Sequence, residues 1–160
     1  MTLLAKLMLA TVATMAAGTV QAKTPAPVQD KPVNCDNCKE WNAPVKPFNI
    51  YGNSWYVGTA GLSAVLVTSP QGHILLDGAL PQSAPLIIAN IKALGFRIED
   101  VKYILNSHAH WDHAGGIAAL QRASGATVMA SAAAAPVLQS GTNGKDDPQY
   151  QANPVVHVAK

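Results

Sequence analysis

The spacing of apolar residues changes along the chain, and the change separates a run of strands from a mixed segment. Short runs rich in aromatic and β-branched residues fall at positions 55–57, 62–68 and 73–76, with turns rich in Gly, Pro and Asn between them. This pattern is typical of strands joined by tight turns. We predict an antiparallel meander whose last strand ends at Asp77-Gly78.

After this meander the apolar residues recur with the period of a helix. Ser83 is a candidate N-cap, and Gly95 is a natural C-terminal stop. Four apolar residues share one helical face between them: Leu86, Ile87, Ile91 and Leu94. A period of this kind predicts an amphipathic helix.

Strands and helices alternate in the remainder of the sequence. We predict strands at residues 101–105 and 126–130, helices at 116–122 and 131–139, the latter interrupted by Pro136, and a polar loop at 141–154. Residues 155–158 predict the start of a further strand, so we expect the chain to end within its fold. Such alternation after an antiparallel start indicates an α/β domain.

The first residues have the three parts of a secretory signal peptide. Lys6 precedes an apolar run at positions 7–17, and small residues end the segment at Ala22. The alternative is a transmembrane helix, but the run is shorter than the roughly 20 residues that a bilayer span needs. We predict export to the periplasm and cleavage after Ala22, with residues 1–22 as the signal peptide.

Composition restricts the classes of partner. The sequence has 11 basic and 9 acidic residues, and removal of Lys6 with the signal peptide leaves a net charge of +1. A charge this small favours neither nucleic acid nor an anionic membrane as a partner. A chain that is 49% hydrophobic and 12% charged is expected to form a buried core.

Residues 23–47 are rich in Pro, Asn and Lys without a hydrophobic period, which predicts an extended arm held by Trp41 and Phe48. Cys35 and Cys38 lie within this arm. A local disulfide is permitted in an exported protein, whereas a zinc knuckle needs a second ligand pair and a thioredoxin-like site needs a strand directly before a helix. A structural pair is favoured, with redox chemistry and metal binding as alternatives.

The strongest chemical signal is a histidine cluster after the strand at 101–105. His108 and His110 are one residue apart, so in an extended segment both imidazoles project to one side and can hold one metal ion. Asp112 continues this spacing and His113 breaks it, so these two can reach a second ion, as in two-metal hydrolases. Zinc suits such ligands. The alternative is a chance cluster of polar side chains.

The other two histidines lack this context. His73 lies in a predicted strand and His157 near the end of the chain, and neither has candidate ligands nearby in sequence. We predict structural roles for both.

The motif His-x-His-x-Asp-His resembles the signature of the metallo-β-lactamase superfamily, whose fold is an αββα sandwich with the metal site at one edge. The resemblance covers residues 41–160 and implies that residues 48–160 are the N-terminal half of that α/β domain. Flanking segments make the chain similar to subclass B3 metallo-β-lactamases: Gly52-Asn53, Trp55-Tyr56-Val57-Gly58-Thr59, Gly61-Leu62-Ser63, Leu76-Asp77-Gly78 and Ser107 to Gly116.

The resemblance implies roles for five residues. His108 and His110 correspond to ligands of a first zinc, and Asp112 and His113 to ligands of a second, with Asp112 also catalytic as the anchor of the attacking hydroxide. Asp77 corresponds to an aspartate that supports the histidine loop, although a simple turn aspartate before glycine is the alternative. The family's two remaining ligands are histidines, expected beyond Lys160. The chain by itself is therefore expected to be inactive.

The implied activity is hydrolysis of the amide bond of β-lactam antibiotics by a metal-bound hydroxide, with two zinc ions per full-length subunit, which confers antibiotic resistance. Penicillins, cephalosporins and carbapenems are the expected substrates. The alternatives are another hydrolase of the superfamily, a thioesterase or a lactonase, and a truncated zinc-binding product without activity. The sequence indicates neither the residues that bind substrate nor the oligomeric state.

Overall fold

The computed structural model describes residues 30–150 and 154–159, so the predicted signal peptide lies outside the described residues. Its centre is a six-stranded sheet in which the strands follow one another in chain order. Strands β1 to β4 are antiparallel neighbours, while β4, β5 and β6 are parallel. The strands are β1 Phe48–Tyr51, β2 Ser54–Tyr56, β3 Val65–Val67, β4 His73–Leu76, β5 Val101–Leu105 and β6 Thr127–Met129.

Five α-helices accompany the sheet in the described part of the chain: α1 Cys38–Trp41, α2 Ala84–Ala93, α3 Trp111–Ala114, α4 Ile117–Ser124 and α5 Ala134–Ser140. Two short 3-10 helices, Pro81–Ser83 and Ile98–Asp100, precede α2 and β5. Within residues 30–150 and 154–159 no helix has the length and apolar character needed to cross a bilayer.

The hydrophobic core lies on one face of the sheet. Successive strands contribute a fully buried row of residues that are paired in register: Leu66, Leu75, Ile104 and Val128. The helices contribute fully buried side chains to the same core, namely Ile87 and Ile91 from α2, Ile117 and Leu120 from α4, and Leu138 from α5. Burial of such aliphatic side chains stabilises a fold by about 1.5–3 kcal/mol each.

The opposite face of the sheet is apolar but not covered by the described residues. Because side chains alternate along a strand, the residues between the buried ones point the other way. Leu76, Tyr103 and Met129 on this face are 38%, 46% and 48% exposed. One sheet with helices on a single face is half of an αββα sandwich, as expected.

Residues 23–29 of the predicted arm lie outside the described residues, and the described part, residues 30–47, is not extended throughout because Cys38–Trp41 form a helix. Cys35 and Cys38 form a disulfide, which closes the turn that leads into α1. Trp41, the last residue of α1, packs beside Trp111 with ring centroids 6.5 Å apart. Phe48 is half-exposed and begins β1 rather than holding the arm against the core.

Ser83 occupies the N-cap position of α2 as predicted, but its side chain makes no capping hydrogen bond to the helix. Its hydroxyl accepts a hydrogen bond from Leu80 N at 3.2 Å and donates one to Asn42 Oδ1 at 2.6 Å. The hydroxyl is therefore used to close the 3-10 turn and to hold the segment after α1. The predicted buried face of α2 is correct for Ile87 and Ile91, which are fully buried, and only partly correct for Leu86 and Leu94.

The predicted interruption at Pro136 is wrong, because this proline lies in the first turn of α5. The first four N–H groups of a helix have no partner within it, so the missing proline N–H costs nothing there. The predicted strand at 155–158 is reduced to a single parallel bridge between Val128 and Val158.

Two glycines allow the segment after β4 to pack directly against the segment before α4. Gly78 N donates to His113 O at 2.7 Å, and Gly116 N donates to Ala79 O at 3.1 Å. A Cβ atom on Gly116 would overlap the carbonyl oxygen of Gly78. The close approach of these two backbones therefore requires glycine at position 116.

We expect Gly116→Ala to lower the free energy of unfolding by about 3 kcal/mol, because the added methyl group must separate two hydrogen-bonded backbones. Urea unfolding of the intact protein measures this. Gly144→Ala is the matched control, since no atom lies within 4 Å of its added Cβ. Equal stability of the two variants would contradict the packing argument.

Candidate metal centre

The candidate ligands lie where the carboxyl ends of β4 and β5 meet. These strands are parallel neighbours, with Leu76 paired to Leu105, so the residues that follow them are adjacent. His108 and His110 lie in the segment after β5, and Asp112 and His113 lie in α3. The carboxyl edge of parallel strands is the usual place for a site in an α/β sheet.

Asp77 directly follows β4 and has a left-handed backbone, with φ of 58°. Its Oδ1 accepts hydrogen bonds from Ser107 N at 2.8 Å and Asn106 Nδ2 at 3.3 Å. Its Oδ2 accepts one from Ser107 Oγ at 2.6 Å and lies 3.1 Å from His113 Nδ1. The carboxylate thus contacts the start of the histidine loop and one of its rings, which a simple turn aspartate would not do.

The contact with Asp77 sets the chemical state of His113. A carboxylate at Nδ1 favours the tautomer that carries its proton there, which leaves the lone pair of Nε2 free. That nitrogen lies 3.6 Å from Asp112 Oδ2. A nitrogen donor and an oxygen donor are therefore side by side at the edge of the sheet.

The three imidazole rings of the motif are in contact. The ring of His108 lies 4.7 Å from that of His110 and 4.1 Å from that of His113, measured between centroids. Burial, followed by the nearby His113 and His110, lowers the pKa of His108 below its ordinary value. A lowered pKa keeps this ring neutral at pH 7, and a neutral imidazole is the form that binds a metal.

Among the residues that the structure describes, no three His, Cys, Asp or Glu side chains are arranged to hold one ion. Two candidate ligands are instead bonded to the polar loop at 141–150: His110 Nε2 lies 3.0 Å from Asp147 Oδ2, and Asp112 Oδ1 accepts from Gln149 Nε2 at 3.0 Å. The donor chemistry nevertheless fits zinc, since three imidazoles and a carboxylate lie together and Asp77 leaves His113 Nε2 free.

Sequence reasoning missed the two loop residues that contact the cluster. Asp147 and Gln149 lie more than 30 residues after the motif, in a segment without a regular period. A hydrogen bond from the backbone of Gln149, followed by one from His110, lowers the pKa of Asp147. Asp147 is therefore an anion at neutral pH, and its Oδ2 can accept a hydrogen bond from His110 Nε2.

Asn106 is a third residue that sequence reasoning missed. Its side chain is buried, and Nδ2 donates to His108 O at 2.7 Å as well as to Asp77. This amide holds the backbone of the first candidate ligand against the end of β4. Its position directly after β5 was the feature of the sequence that could have indicated this role.

The two histidines outside the motif lie apart from the cluster. His73 is buried at the start of β4, where Nδ1 accepts from Ser69 N at 3.3 Å and the ring packs edge-on against Phe96. His157 is exposed, and its backbone bonds to the side chain of Gln121. Both contacts are structural, in agreement with the roles predicted for these residues.

Comparison with known proteins identifies the fold. Residues 57–150 match the family described as "Metallo-beta-lactamase superfamily". The N-acyl homoserine lactonase AttM of Agrobacterium fabrum (strain C58) is 34% identical over 107 residues, which are 62% of this chain and 38% of the lactonase.

Solved structures show higher identity. The Rm3 metallo-beta-lactamase is 63% identical with a TM-score of 0.72, over 80% of this chain and 48% of that one. MEM-A1, a subclass B3 metallo-beta-lactamase from a soil metagenome library, is 59% identical with a TM-score of 0.68, over 74% and 46%. The chain thus spans about half the length of these structures. It belongs to the metallo-β-lactamase superfamily, and subclass B3 enzymes are among the proteins that it resembles in sequence and fold.

Proposed function

We propose that the protein hydrolyses the amide bond of β-lactam antibiotics as a zinc-dependent enzyme of the subclass B3 type and so confers antibiotic resistance. The observation that carries this proposal is the cluster of three histidines and Asp112 at the carboxyl edge of β5, in a chain 63% identical to the Rm3 metallo-beta-lactamase. The substrate is a small molecule, which agrees with the near-neutral charge of the chain.

The residues divide into two pairs of ligands. His108 and His110 would hold a first zinc ion, and Asp112 and His113 a second. When bound, zinc acts as a Lewis acid and lowers the pKa of water, which supplies a nucleophile at neutral pH. Asp77 keeps the Nδ1 proton of His113 in place, so that Nε2 stays available as a donor.

Asp112 is the proposed catalytic residue. Its carboxylate can accept a hydrogen bond from the attacking water and orient that water toward the amide carbonyl. Water adds to the carbonyl carbon, the ring C–N bond breaks, and a proton passes to the nitrogen, which leaves a ring-opened amino acid. No covalent bond to the protein is needed in this route.

The activity is tested with the intact protein loaded with zinc. Loss of β-lactam absorbance should be measured for a penicillin, a cephalosporin and a carbapenem. We expect turnover that dipicolinate abolishes and added zinc restores. Absence of turnover on all three substrates with two zinc ions bound would overturn the proposal.

A second candidate is lactone hydrolysis, favoured by the 34% identity to the AttM lactonase over 107 residues. The same preparation should be assayed with an N-acyl homoserine lactone. We expect kcat/KM for the lactone to be lower than for the β-lactams. The reverse order would make the lactonase the correct assignment.

We further propose that the protein is exported to the periplasm and cleaved after Ala22. The support is the sequence alone: Lys6, the apolar run at 7–17 and the small residue at position 22. Mass spectrometry of the protein from a periplasmic extract is expected to show Lys23 as the first residue. A periplasmic protein that retains Met1 would contradict this.

A further inference from the structure

Gln149 connects the polar loop after α5 to two successive residues of the histidine motif. Its Oε1 accepts a hydrogen bond from Trp111 N at 2.6 Å, and its Nε2 donates one to Asp112 Oδ1 at 3.0 Å. The orientation of the amide is fixed by chemistry, because the backbone N–H of Trp111 can only donate and a carboxylate can only accept. The Gln149 side chain therefore presents its donor to Asp112.

The backbone of Gln149 is also held. Its N–H donates to Asp147 Oδ1 at 2.7 Å, and its carbonyl oxygen accepts from Asn143 Nδ2 at 3.3 Å. Asn143 is buried, with 8% of its surface exposed. Gln149 is thus held by the loop through its main chain and by the histidine motif through its side chain.

The bond from Gln149 distinguishes the two oxygens of Asp112. Oδ1 is occupied by the amide, whereas Oδ2 is directed toward His113 and lies 3.6 Å from Nε2. Nε2 of His113 is the nitrogen that Asp77 leaves free. A hydrogen bond to one oxygen of a ligating carboxylate is a recognised way to orient it.

We propose that Gln149 is a positioning residue for the second metal: its amide fixes the Asp112 carboxylate so that Oδ2 faces the metal position beside His113 Nε2. This inference rests on the metal site of the proposed function but not on its substrate. Gln149 acts through Asp112, and its loss should weaken the second metal more than the first.

Two variants separate the contacts of Gln149. Gln149→Glu keeps an oxygen that accepts from Trp111 N but removes the donor to Asp112 and adds a negative charge. Gln149→Met keeps the length of the side chain and removes both hydrogen bonds. Gln71→Glu is the matched control, because Gln71 is exposed in the turn before β4, at the opposite end of that strand.

The two zinc affinities of the intact protein are measured by competition with a chromophoric chelator, and the coordination of the cobalt-substituted protein by its visible spectrum. We expect both Gln149 variants to weaken the second zinc by about tenfold or more and to alter the cobalt spectrum, with the first zinc changed far less. Gln71→Glu should match the wild type in both measurements.

The inference is overturned if both Gln149 variants bind two zinc ions as the control does. It is also overturned if only Gln149→Met weakens the second zinc, since the bond to Trp111 would then be the important one. A wild type that binds a single zinc ion excludes it as well. Because no β-lactam is used, weakened zinc binding together with absent β-lactam turnover would support the inference while refuting the proposed function.

Discussion

Asp112→Asn is expected to reduce β-lactam turnover by about two orders of magnitude or more, with little change in stability. The substitution keeps the size of the side chain and one oxygen but removes the charge beside His113 Nε2. The second zinc should therefore bind more weakly, and the attacking water should lose its acceptor. Folding should change little, because asparagine keeps an oxygen that can accept the hydrogen bond from Gln149 Nε2.

The experiment compares zinc content, thermal stability and carbapenem hydrolysis for Asp112→Asn and the wild type. Asp146→Asn is the control, because it removes the same charge from an exposed position in the nearby loop. Unchanged hydrolysis with two zinc ions bound would show that Asp112 has neither role.

Replacement of Asp77 is expected to affect both stability and zinc binding. Asp77→Ala removes the acceptor for Ser107 and Asn106, and it places alanine in a left-handed conformation that costs about 1–2 kcal/mol. We expect the free energy of unfolding to fall by about 3 kcal/mol or more, since bonds to a charged group contribute about 1.5–3 kcal/mol each.

Asp77→Asn separates these two effects. Asparagine tolerates the left-handed backbone, and its oxygen can still accept from Ser107 N, but an amide nitrogen then faces His113 or Ser107 Oγ. We expect a smaller loss of stability than in Asp77→Ala, together with zinc affinity lowered by about tenfold to a hundredfold. Urea unfolding of the metal-free protein and zinc titration measure the two quantities. Wild-type zinc affinity in Asp77→Asn would show that this carboxylate does not tune the site.

The sequence predicted elements best where burial sets the pattern. The bounds predicted for β4 and β5 are those observed, because both strands contribute fully buried residues, Leu75 and Ile104, and are flanked by turn residues. Strand β1 was not predicted, since all four of its residues are exposed and it is defined by pairing with β2. Helix α1 was missed because it is a single turn that follows a disulfide.

The candidate site likewise contains residues that the sequence pattern predicts and residues that only the tertiary structure brings together. His108, His110, Asp112 and His113 are close in sequence, so their spacing alone predicts that they gather after a strand. The position of Asp77 came from resemblance, and the parallel pairing of β4 with β5 explains it. Asp147 and Gln149 reach the cluster through a loop without periodicity, and only the tertiary structure brings them there.

The order of the strands has a consequence for how the site forms. Each strand pairs with the strands next to it in the sequence, so no strand pairing requires a segment from a distant part of the chain. Topologies with such local closures fold faster than those with distant pairings. Asp77 and His113 are 36 residues apart and meet once β4 and β5 pair, before the loop with Gln149 is required. The pairing of β4 with β5 is therefore enough to place the Asp77 carboxylate beside His113, and the loop with Gln149 closes on a site whose first contacts already exist.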